Sequence, residues 1–366
     1  MNDKLKIIHV IPSPCGGGAE LLVRELTKQT NNLGIECKAI YFNNWADCAK
    51  TIKLSNNEKS LNLNYRSPYA IIALRKLFKS ELKEYSNLIV HAHLTWPMFF
   101  IPLACIGLSI KLVFTEHGSS NNRRNFFFFK YIEKIFYNQY NFIITVTDGV
   151  RNNLLDWIGP DLSSKVLNII NGSRFFSYKE RNSLKKCIKF ISVGSLTKNK
   201  GFERTIRALS QLKNRNWQYE IVGIGPLKSE LENLINSLDL KDKVILSGWS
   251  SNLEKKYHNA DIMLIPSIYE GFGLVAIEGM STGLPIVASD LVGINEIVSS
   301  SVSSCFLVKV SEDIFEWVNK IELCISILEK DPLFISKVSY QHSQKFSLDK
   351  MTRNYVNLYK QVLKND

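Results

Sequence analysis

The sequence has few of the patterns that mark metal-binding or disulfide-rich proteins. Its seven cysteines are scattered without a Cys-x-x-Cys pair, and their odd number argues against a disulfide framework or a structural zinc site. Neither His91 nor His93 has the partner four residues away that a zinc-binding helix would supply. We therefore expect a protein of the reducing cytosol that uses no metal ion and no other cofactor.

Long hydrophobic runs are also scarce. The apolar start of the chain soon reaches Pro12 and a glycine cluster, unlike a signal peptide, so it is interpreted as a first β-strand. The stretch Leu94–Ile110 is mostly apolar, but it is shorter than a usual membrane span and carries Pro97 and Pro102, which favours a buried crossover helix. There is no repeat of fixed short period and no low-complexity tract beyond Phe126–Phe129, which excludes a solenoid or a largely disordered chain.

Length and charge narrow the class of protein. The 366 residues exceed the usual length of one domain, which favours two domains with a cleft. Lys and Arg number 46 against 34 Asp and Glu, for a net charge of +12, and this excess favours an anionic partner such as a nucleotide, a phospholipid surface or a nucleic acid. No RNA-recognition, KH or zinc-finger pattern accompanies the charge, so we do not expect a nucleic-acid partner.

Short runs rich in β-branched residues alternate with amphipathic segments in two successive series. This alternation predicts an α/β protein with two parallel sheets covered by helices. The predicted strands are Lys6–Ile11, Cys37–Tyr41, Leu88–His91, Leu112–Thr115, Phe142–Val146, Val166–Ile170, Ile188–Val193, Gln218–Val222, Lys243–Leu246, Ala260–Ile265, Pro285–Ala288 and Ser304–Val308.

Turn-forming and charged residues between the two series predict a hinge near residues 172–187. We therefore predict a first domain over residues 1–173 and a second over residues 174–345. The tail, residues 346–366, carries apolar residues at helical spacing. It predicts a final helix whose apolar stripe must be buried against one of the two domains.

Two glycine-bearing loops follow predicted strands. Gly16, Gly17 and Gly18 come after the first strand and open a helix, where backbone N–H groups can bind a phosphate or a carbohydrate oxygen; a flexible turn is the alternative. Gly194 and Lys200 follow the first strand of the second series. A lysine at that end of a strand can offset diphosphate charge, and a solvated loop lysine is the alternative.

The strongest signal is the segment between Glu270 and Glu278. Glycines allow a tight turn from a strand into a helix, so that the N–H groups at the helix start can face a diphosphate. Glu270 would lie in the loop and Glu278 about one turn into the helix, and a carboxylate there can accept hydrogen bonds from sugar hydroxyls. A surface carboxylate at a helix start is the alternative for Glu278. The residues expected around the ligand are Gly271, Phe272, Gly273, Leu274 and Glu278.

Histidine and aromatic residues supply further candidates. His117 lies just past the carboxyl end of a strand, where it can face a ligand; core packing is the alternative. We expect only one of His91 and His93, at another strand end, to point to such a site. Residues 123–130 combine basic side chains with consecutive phenylalanines. They predict a membrane-contacting segment or an acceptor groove, and a helix with inward-facing phenylalanines is the alternative.

Together these motifs resemble glycosyltransferase family 4, retaining enzymes of the GT-B fold. In that fold two Rossmann-like domains face a cleft, and the last helix crosses back to the first domain. The resemblance covers most of the chain. The matching positions are Gly16–Glu20, His91–His93, Glu116–Gly118, Asn171-Gly172, Gly194, Lys200-Gly201, Val222–Pro226, Gly248, the Glu-x7-Glu pair Glu270 and Glu278, Gly283–Ala288 and Glu296.

The resemblance implies a role for each matching residue. Glu278 would hold the ribose of a nucleotide-sugar donor, Glu270 would lie beside the hydroxyls of the donor sugar, and Lys200 would contact the diphosphate. His117 would face the transferred sugar, and Gly16–Gly18 would lie near the phosphates when the domains close. Glu270, His117 and Lys200 are thus the expected catalytic residues.

Three positions depart from the family pattern. Ser195 stands where an arginine is common, which removes one phosphate cation and directs attention to Lys198 or Arg204. Gly279 replaces the usual alanine after the second glutamate. Ser173-Arg174 replaces the usual Val-Asp, so the hinge is expected to differ locally.

The resemblance also implies an activity and a setting. The reaction would move a hexose or N-acetylhexosamine with retention, from a UDP-sugar in preference to a GDP-sugar, to a polyprenyl-diphosphate-linked or saccharide acceptor. The product would belong to surface polysaccharide such as O-antigen, lipopolysaccharide, capsule or exopolysaccharide. The protein would be cytoplasmic, with peripheral contact to the anionic inner face of the cell membrane. A sugar-nucleotide epimerase, a phosphorylase or an inactive assembly partner on the same fold are the alternatives.

Overall fold

The protein forms two compact units. The computed structural model describes residues 4–15, 17–43, 53–64, 66–118, 121–309 and 313–364. One unit comprises Met1–Gly172 together with Leu348–Asp366, and the other comprises Ser173–Ser347. Each unit is built on its own parallel sheet and has its own hydrophobic core.

Seven strands form the sheet of the first unit. They are Leu5–Ile11 (β1), Glu36–Tyr41 (β2), Glu58–Ser60 (β3), Asn87–His93 (β4), Lys111–Glu116 (β5), Phe142–Thr145 (β6) and Val166–Asn168 (β7). All are parallel, in the spatial order β3-β2-β1-β4-β5-β6-β7. The order reverses between β1 and β4, and ligands of open α/β sheets bind at the carboxyl ends of the strands at such a reversal.

Helices cover both faces of this sheet, which is why its central strands are almost wholly buried. Along the chain the helices are Gly18–Asn32 (α1), Tyr69–Glu81 (α2), Thr95–Cys105 (α3), Phe129–Asn138 (α4) and Asp148–Ile158 (α5). In β1, the side chains of Ile7, Ile8, Val10 and Ile11 are fully buried. The sequence of β1 is therefore mostly apolar, and its polar residues are Lys6 and His9.

Six strands form the sheet of the second unit. They are Ile188–Val193 (β8), Trp217–Val222 (β9), Val244–Gly248 (β10), Ile262–Ile265 (β11), Ile286–Ser289 (β12) and Cys305–Val308 (β13). They are parallel in the order β10-β9-β8-β11-β12-β13. The order reverses between β8 and β11, so the loops after these two strands border the expected binding edge.

The helices of the second unit alternate with its strands, as in a doubly wound fold. They are Phe202–Ser210 (α6), Lys228–Ser237 (α7), Leu253–Asn259 (α8), Leu274–Ser281 (α9), Ile294–Ile297 (α10), Ile314–Lys330 (α11) and Pro332–Ser343 (α12). The last helix, Leu348–Lys364 (α13), belongs to the first unit and packs against α1. Its apolar stripe, which includes Met351, Tyr355 and Tyr359, is buried there.

The structure confirms every predicted strand, with ends shifted by at most two residues. It adds β3, a short edge strand that the sequence did not predict. The apolar stretch expected as a crossover helix forms α3, which is shorter than expected. Within the described part of the chain, no helix has the length and apolar character needed to cross a bilayer.

Candidate functional site

Lys200 and Glu270 meet at the carboxyl end of the second sheet. Lys200 lies in the loop after β8 and Glu270 in the loop after β11, the two strands that flank the reversal. Nζ of Lys200 lies 2.5 Å from Oε2 of Glu270, and the side chains keep 21% and 16% of their surface exposed. The structure thus brings two predicted site residues together, as an ion pair that a polar ligand can reach.

The backbone fastens the two loops to each other. The carbonyl oxygen of Asn199 accepts hydrogen bonds from the N–H groups of Ile268 and Tyr269, at 2.8 and 3.4 Å. Gly201 has a φ of +59°, and a Cβ atom there would lie 2.2 Å from the carbonyl oxygen of Pro266. Only glycine meets both conditions, and it lets the lysine loop approach the glutamate loop closely.

Glycine also lies beneath the lysine stem. A Cβ atom on Gly194 would lie 3.3 Å from Cδ and Cε of Lys200. The aliphatic part of the lysine therefore rests on the glycine backbone, and its direction toward Glu270 is limited by this contact.

Helix α9 begins a few residues after Glu270. Its N-cap, Gly273, is in the left-handed conformation (φ 86°, ψ 49°) and offers no capping side chain, and the first turn carries no acidic residue. Gly271 and Phe272 form the turn, and Phe272 is anchored with only 5% of its surface exposed. The N–H groups from Leu274 onward thus begin a helix whose partial positive charge faces this loop.

Glu278 is buried inside the second unit. Only 3% of its surface is exposed, so the surface-carboxylate alternative is wrong. Its Oε1 accepts a hydrogen bond from Nε of Arg174 at 2.8 Å, and its Oε2 accepts one from the hydroxyl of Tyr257 at 3.1 Å. Burial raises the pKa of Glu278, and the charge of Arg174 opposes that rise.

Arg174, which donates to Glu278, stands where the family pattern has an aspartate. Its guanidinium carbon lies 5.0 Å from the centre of the Phe176 ring, a cation–π distance. The side chain is 40% exposed, so its remaining N–H groups can reach a ligand as well as Glu278. The departure noted at Ser173-Arg174 therefore changes the surroundings of a predicted site residue.

The first glycine loop is only partly described. Gly16 lies outside the described residues, Gly17 is the N-cap of α1, and Gly18 is its first residue. The carboxylate of Glu20, in the first turn, accepts a hydrogen bond from the N–H of Gly17, and burial raises the pKa of Glu20. A carboxylate of the protein therefore already interacts with this helix start.

Four histidines lie together at the carboxyl ends of β1, β4 and β5 in the first unit. Nδ1 of His9 lies 2.9 Å from Nε2 of His93. Nδ1 of His93 in turn lies 3.0 Å from Nε2 of His117. The three rings form a hydrogen-bonded chain from the buried interior of the sheet to its binding edge.

His91 and His93 lie on the same face of β4, so the reason for expecting only one of them at a ligand site is wrong. Residues two apart on a strand lie on the same face, because side chains alternate. The two ring centroids are 4.1 Å apart. His91 is held separately from the chain of three, with Nδ1 2.7 Å from the Tyr359 hydroxyl and Nε2 2.7 Å from the Thr115 hydroxyl.

Ligand atoms of His9, His91 and His93 lie within 4.8 Å of one another, which is close enough to consider a shared metal ion. Both nitrogens of His91 and His93, and Nδ1 of His9, already lie within hydrogen-bond distance of protein groups. Burial lowers the pKa of His9 to about 3 and that of His117 to about 4. The rings are therefore neutral near pH 7, and an ion would have to break their hydrogen bonds.

Comparison with known proteins agrees with this architecture. Residues 16–171 match the family model described as Glycosyltransferase Family 4, and residues 174–333 match the model described as Glycosyl transferases group 1. A solved glycosyltransferase from Rickettsia africae is 24% identical, covers 100% of both chains and has a TM-score of 0.82. Anabaena HepE, solved in complex with UDP-glucose, is 19% identical over 98% of this chain and 100% of its own, with a TM-score of 0.80.

Curated relatives match over different extents. A glycosyltransferase of Methanocaldococcus jannaschii, itself uncharacterised, is 30% identical over 60% of this chain and 59% of its own length. A second protein of that archaeon is 25% identical over 90% of this chain and 92% of its own. The amylovoran biosynthesis glycosyltransferase AmsK of Erwinia amylovora is 36% identical over 35% of this chain and 34% of its own length. Further relatives are named for colanic acid and lipopolysaccharide core biosynthesis.

Two parallel-sheet units of this topology, with structural neighbours of the same kind, give the chain the GT-B fold. Between them the two family models cover most of its length. The chain belongs to glycosyltransferase family 4.

Three site residues were not assigned from the sequence. His9 had a signal, since it is a polar residue within the apolar run of β1. Arg174 was visible only as a departure from the family pattern. Tyr257 had none, because nothing in the sequence of α8 indicates that its hydroxyl reaches a buried carboxylate.

Proposed function

We propose that this chain is a retaining glycosyltransferase that moves a hexose or N-acetylhexosamine from a UDP-sugar, rather than a GDP-sugar, to an acceptor of surface polysaccharide synthesis. The observation that carries the proposal is the contact of Lys200 with Glu270 beside the start of α9. One place thus offers a cation, helix N–H groups and a carboxylate. These groups are complementary to a diphosphate and to the hydroxyls of a sugar.

The nucleotide would be held by Glu278. Each of its carboxylate oxygens has one partner among the described residues, Arg174 or Tyr257. A carboxylate has roughly four acceptor positions, so each oxygen can still accept a hydrogen bond from one ribose hydroxyl. The UDP-glucose complex of Anabaena HepE supports a uridine nucleotide.

Transfer would occur on one face of the sugar. The bond between the anomeric carbon and the β-phosphate oxygen breaks, the bond to the acceptor oxygen forms, and the acceptor's proton passes to the departing phosphate. Lys200 and the N–H groups of α9 would stabilise the negative charge on the leaving group. Glu270 and His117 would hydrogen-bond the sugar. Because the acceptor oxygen bonds to the face that the phosphate leaves, the configuration is retained without a carboxylate nucleophile.

A panel of UDP- and GDP-sugars, assayed for donor hydrolysis and transfer, tests the activity and the donor together. Lys200→Met should lower turnover by about 100-fold or more, because it removes a charge that the leaving group needs. Glu270→Gln should lower turnover similarly while calorimetry shows nearly unchanged binding of free UDP.

The control is Lys228→Met, since Lys228 forms an exposed pair with Glu232 on α7, 3.6 Å apart. It should retain the activity of the unmodified protein. Full turnover by Lys200→Met would refute the proposed site. Turnover only when inorganic phosphate is added, or release of an isomerised free sugar, would instead indicate a phosphorylase or an epimerase.

We further propose a lipid-linked acceptor that the protein reaches at an anionic membrane. The alternative of inward-facing phenylalanines is wrong for Phe126, Phe127 and Phe128, which are 57%, 79% and 47% exposed. On α4, which directly follows, Tyr131 and Ile135 are also exposed, at 65% and 64%. Aromatic and aliphatic groups of this kind insert into a bilayer interface, and basic residues favour anionic lipid. The chain's net charge of +12 has the required sign.

Sedimentation with phosphatidylglycerol vesicles checks the membrane proposal. The protein should sediment with anionic vesicles and less with neutral ones, and Phe126→Ser together with Phe127→Ser should reduce binding several-fold. Phe334→Ser is the control, because Phe334 is equally apolar and 52% exposed but lies on α12 of the second unit. No sedimentation of the unmodified protein, or equal loss with Phe334→Ser, would count against it.

A further inference from the structure

The chain of three imidazoles restricts where their protons lie. A neutral imidazole carries one N–H, so each of its two nitrogens is either a donor or an acceptor. The contacts His9 Nδ1 to His93 Nε2 and His93 Nδ1 to His117 Nε2 each need one proton between the two nitrogens. Because neutral His93 has one proton for two contacts, it donates in one hydrogen bond and accepts in the other. Both hydrogen bonds therefore point the same way along the three rings, either from His9 to His117 or from His117 to His9.

The first direction starts at His9. His9 donates from Nδ1 to His93, His93 donates from Nδ1 to His117, and the proton of His117 then lies on Nδ1. In this arrangement Nε2 of His9 is left as an unprotonated nitrogen. In the opposite direction His117 donates from Nε2, and Nε2 of His9 carries an N–H.

The environment of His9 distinguishes the two directions. The ring is fully buried, and its Nε2 has no hydrogen-bond partner among the described residues. A buried N–H without an acceptor is among the rarest features of folded proteins. When His9 donates to His93, its Nε2 carries no proton, so no N–H is buried there without an acceptor. The hydrogen bonds therefore point from His9 toward His117.

His117, at the far end of the three-histidine chain, directly follows β5 and so lies at the carboxyl edge of the first sheet. His117 is only partly buried, and no hydrogen bond to its Nδ1 comes from the residues that the structure describes. Its Nε2 is committed to His93. Any ligand that meets this ring therefore meets Nδ1.

We propose that His93 and His9 are positioning residues that hold His117 in the tautomer with its proton on Nδ1, so that His117 presents a hydrogen-bond donor to an oxygen of the donor sugar. The tautomer follows from the buried chain alone, and its use toward a sugar rests on the proposed function. Burial also holds the pKa of His117 at about 4, so the ring stays neutral and donates as imidazole. His91 does not belong to the three hydrogen-bonded histidines, since its two ring nitrogens contact the hydroxyls of Tyr359 and Thr115.

Nitrogen-15 NMR of protein labelled at histidine tests the tautomer directly, because protonated and unprotonated ring nitrogens resonate far apart. The chain has six histidines, and the signals of His117 are assigned by their loss in His117→Asn. At pH 7 the unmodified protein should show His117 protonated on Nδ1. His93→Phe should move the proton to Nε2 or mix the two forms, because nothing then donates to Nε2.

A second variant and a control separate positioning from folding. His93→Gln keeps an amide donor near Nε2 of His117 and should restore much of the Nδ1–H form. His342→Asn alters a histidine of the second unit, which contacts the carbonyl of Ile297, and should leave His117 unchanged. Circular dichroism confirms that each variant is folded.

Turnover supplies the functional readout. His93→Phe should lower sugar transfer about tenfold, the effect of one lost hydrogen bond. Binding of free UDP should be unchanged, because UDP lacks the sugar that is transferred. His117 protonated on Nε2 in the unmodified protein, or a tautomer that His93→Phe does not alter, would overturn the proposal. Inactivity of the unmodified protein on every donor would refute the proposed function but leave the NMR result valid.

Discussion

At Arg174 the chain has a cation where the family pattern has an acidic residue, and this cation contacts a buried carboxylate. Glu278 has to be ionised to accept hydrogen bonds from two ribose hydroxyls. Burial raises its pKa, and Arg174 is the charge that opposes the rise. The ability of Glu278 to bind a nucleotide near neutral pH therefore depends on a residue outside the recognised motif.

Replacement of Arg174 by Met should make nucleotide binding sensitive to pH. Without Arg174 the pKa of Glu278 rises further, so the carboxyl group becomes protonated as the pH falls. Affinity for UDP, measured by calorimetry at pH 8 and pH 6, should then fall toward acid more steeply than in the unmodified protein, by several-fold. The stability cost should be small, about 1 kcal/mol, because the Arg174 side chain is 40% exposed and screened by solvent.

Arg207→Met is the matched control for this experiment. Arg207 is exposed and lies 2.8 Å from Glu203 on the same helix, α6. An exposed pair of this kind contributes little, so the variant should bind UDP as the unmodified protein does. If Arg174→Met shows the pH dependence of the control, Arg174 does not set the ionisation of Glu278.

Among the elements, strands were predictable where burial determines their sequence. Central strands such as β1 and β8 are covered on both faces, so most of their residues are apolar and stand out from the flanking turns. The edge strand β3 is the exception, because its residues Glu58-Lys59-Ser60 pair with one neighbour only and need not be apolar. Its polar sequence carries no strand signal.

The candidate site was predictable to the extent that it lies in loops directly after strands. Lys200 and Glu270 were identified because glycines mark those loops and the carboxyl ends of parallel strands share one edge. The contacts of Glu278 with Arg174 and of His9 with His93 span 104 and 84 residues of chain. Local pattern cannot reveal such pairs, since nothing near one residue specifies its distant partner.

At the scale of the whole molecule, the first unit depends on a helix that lies beyond the second unit in the chain. Helix α13 buries Met351, Tyr355 and Tyr359 in the first unit, and the Tyr359 hydroxyl lies 2.7 Å from His91. Each such side chain contributes about 1.5–3 kcal/mol when buried. Together they represent much of the 5–15 kcal/mol that usually stabilises a folded domain.

Removal of residues 348–366 should therefore unfold the first unit while the second keeps its structure. Hydrogen exchange followed by mass spectrometry should show loss of protection in β1, β4 and α1, with protection retained in β8 and β11. The double change Tyr355→Ala and Tyr359→Ala should act in the same direction to a smaller extent. Arg353→Ala, at an exposed position of α13, should have no such effect, and equal loss of protection in both units would contradict the prediction.

The position of α13 in the chain also sets an order of events during synthesis. The first unit runs to Gly172 and is completed only by a helix that begins at Leu348. At a synthesis rate of about 5–20 residues per second, that helix follows Gly172 by roughly 10 to 35 seconds. The second unit is contiguous and has its full sequence before α13 is made. In the cell, the half of the protein that is made first is therefore the half that finishes folding last.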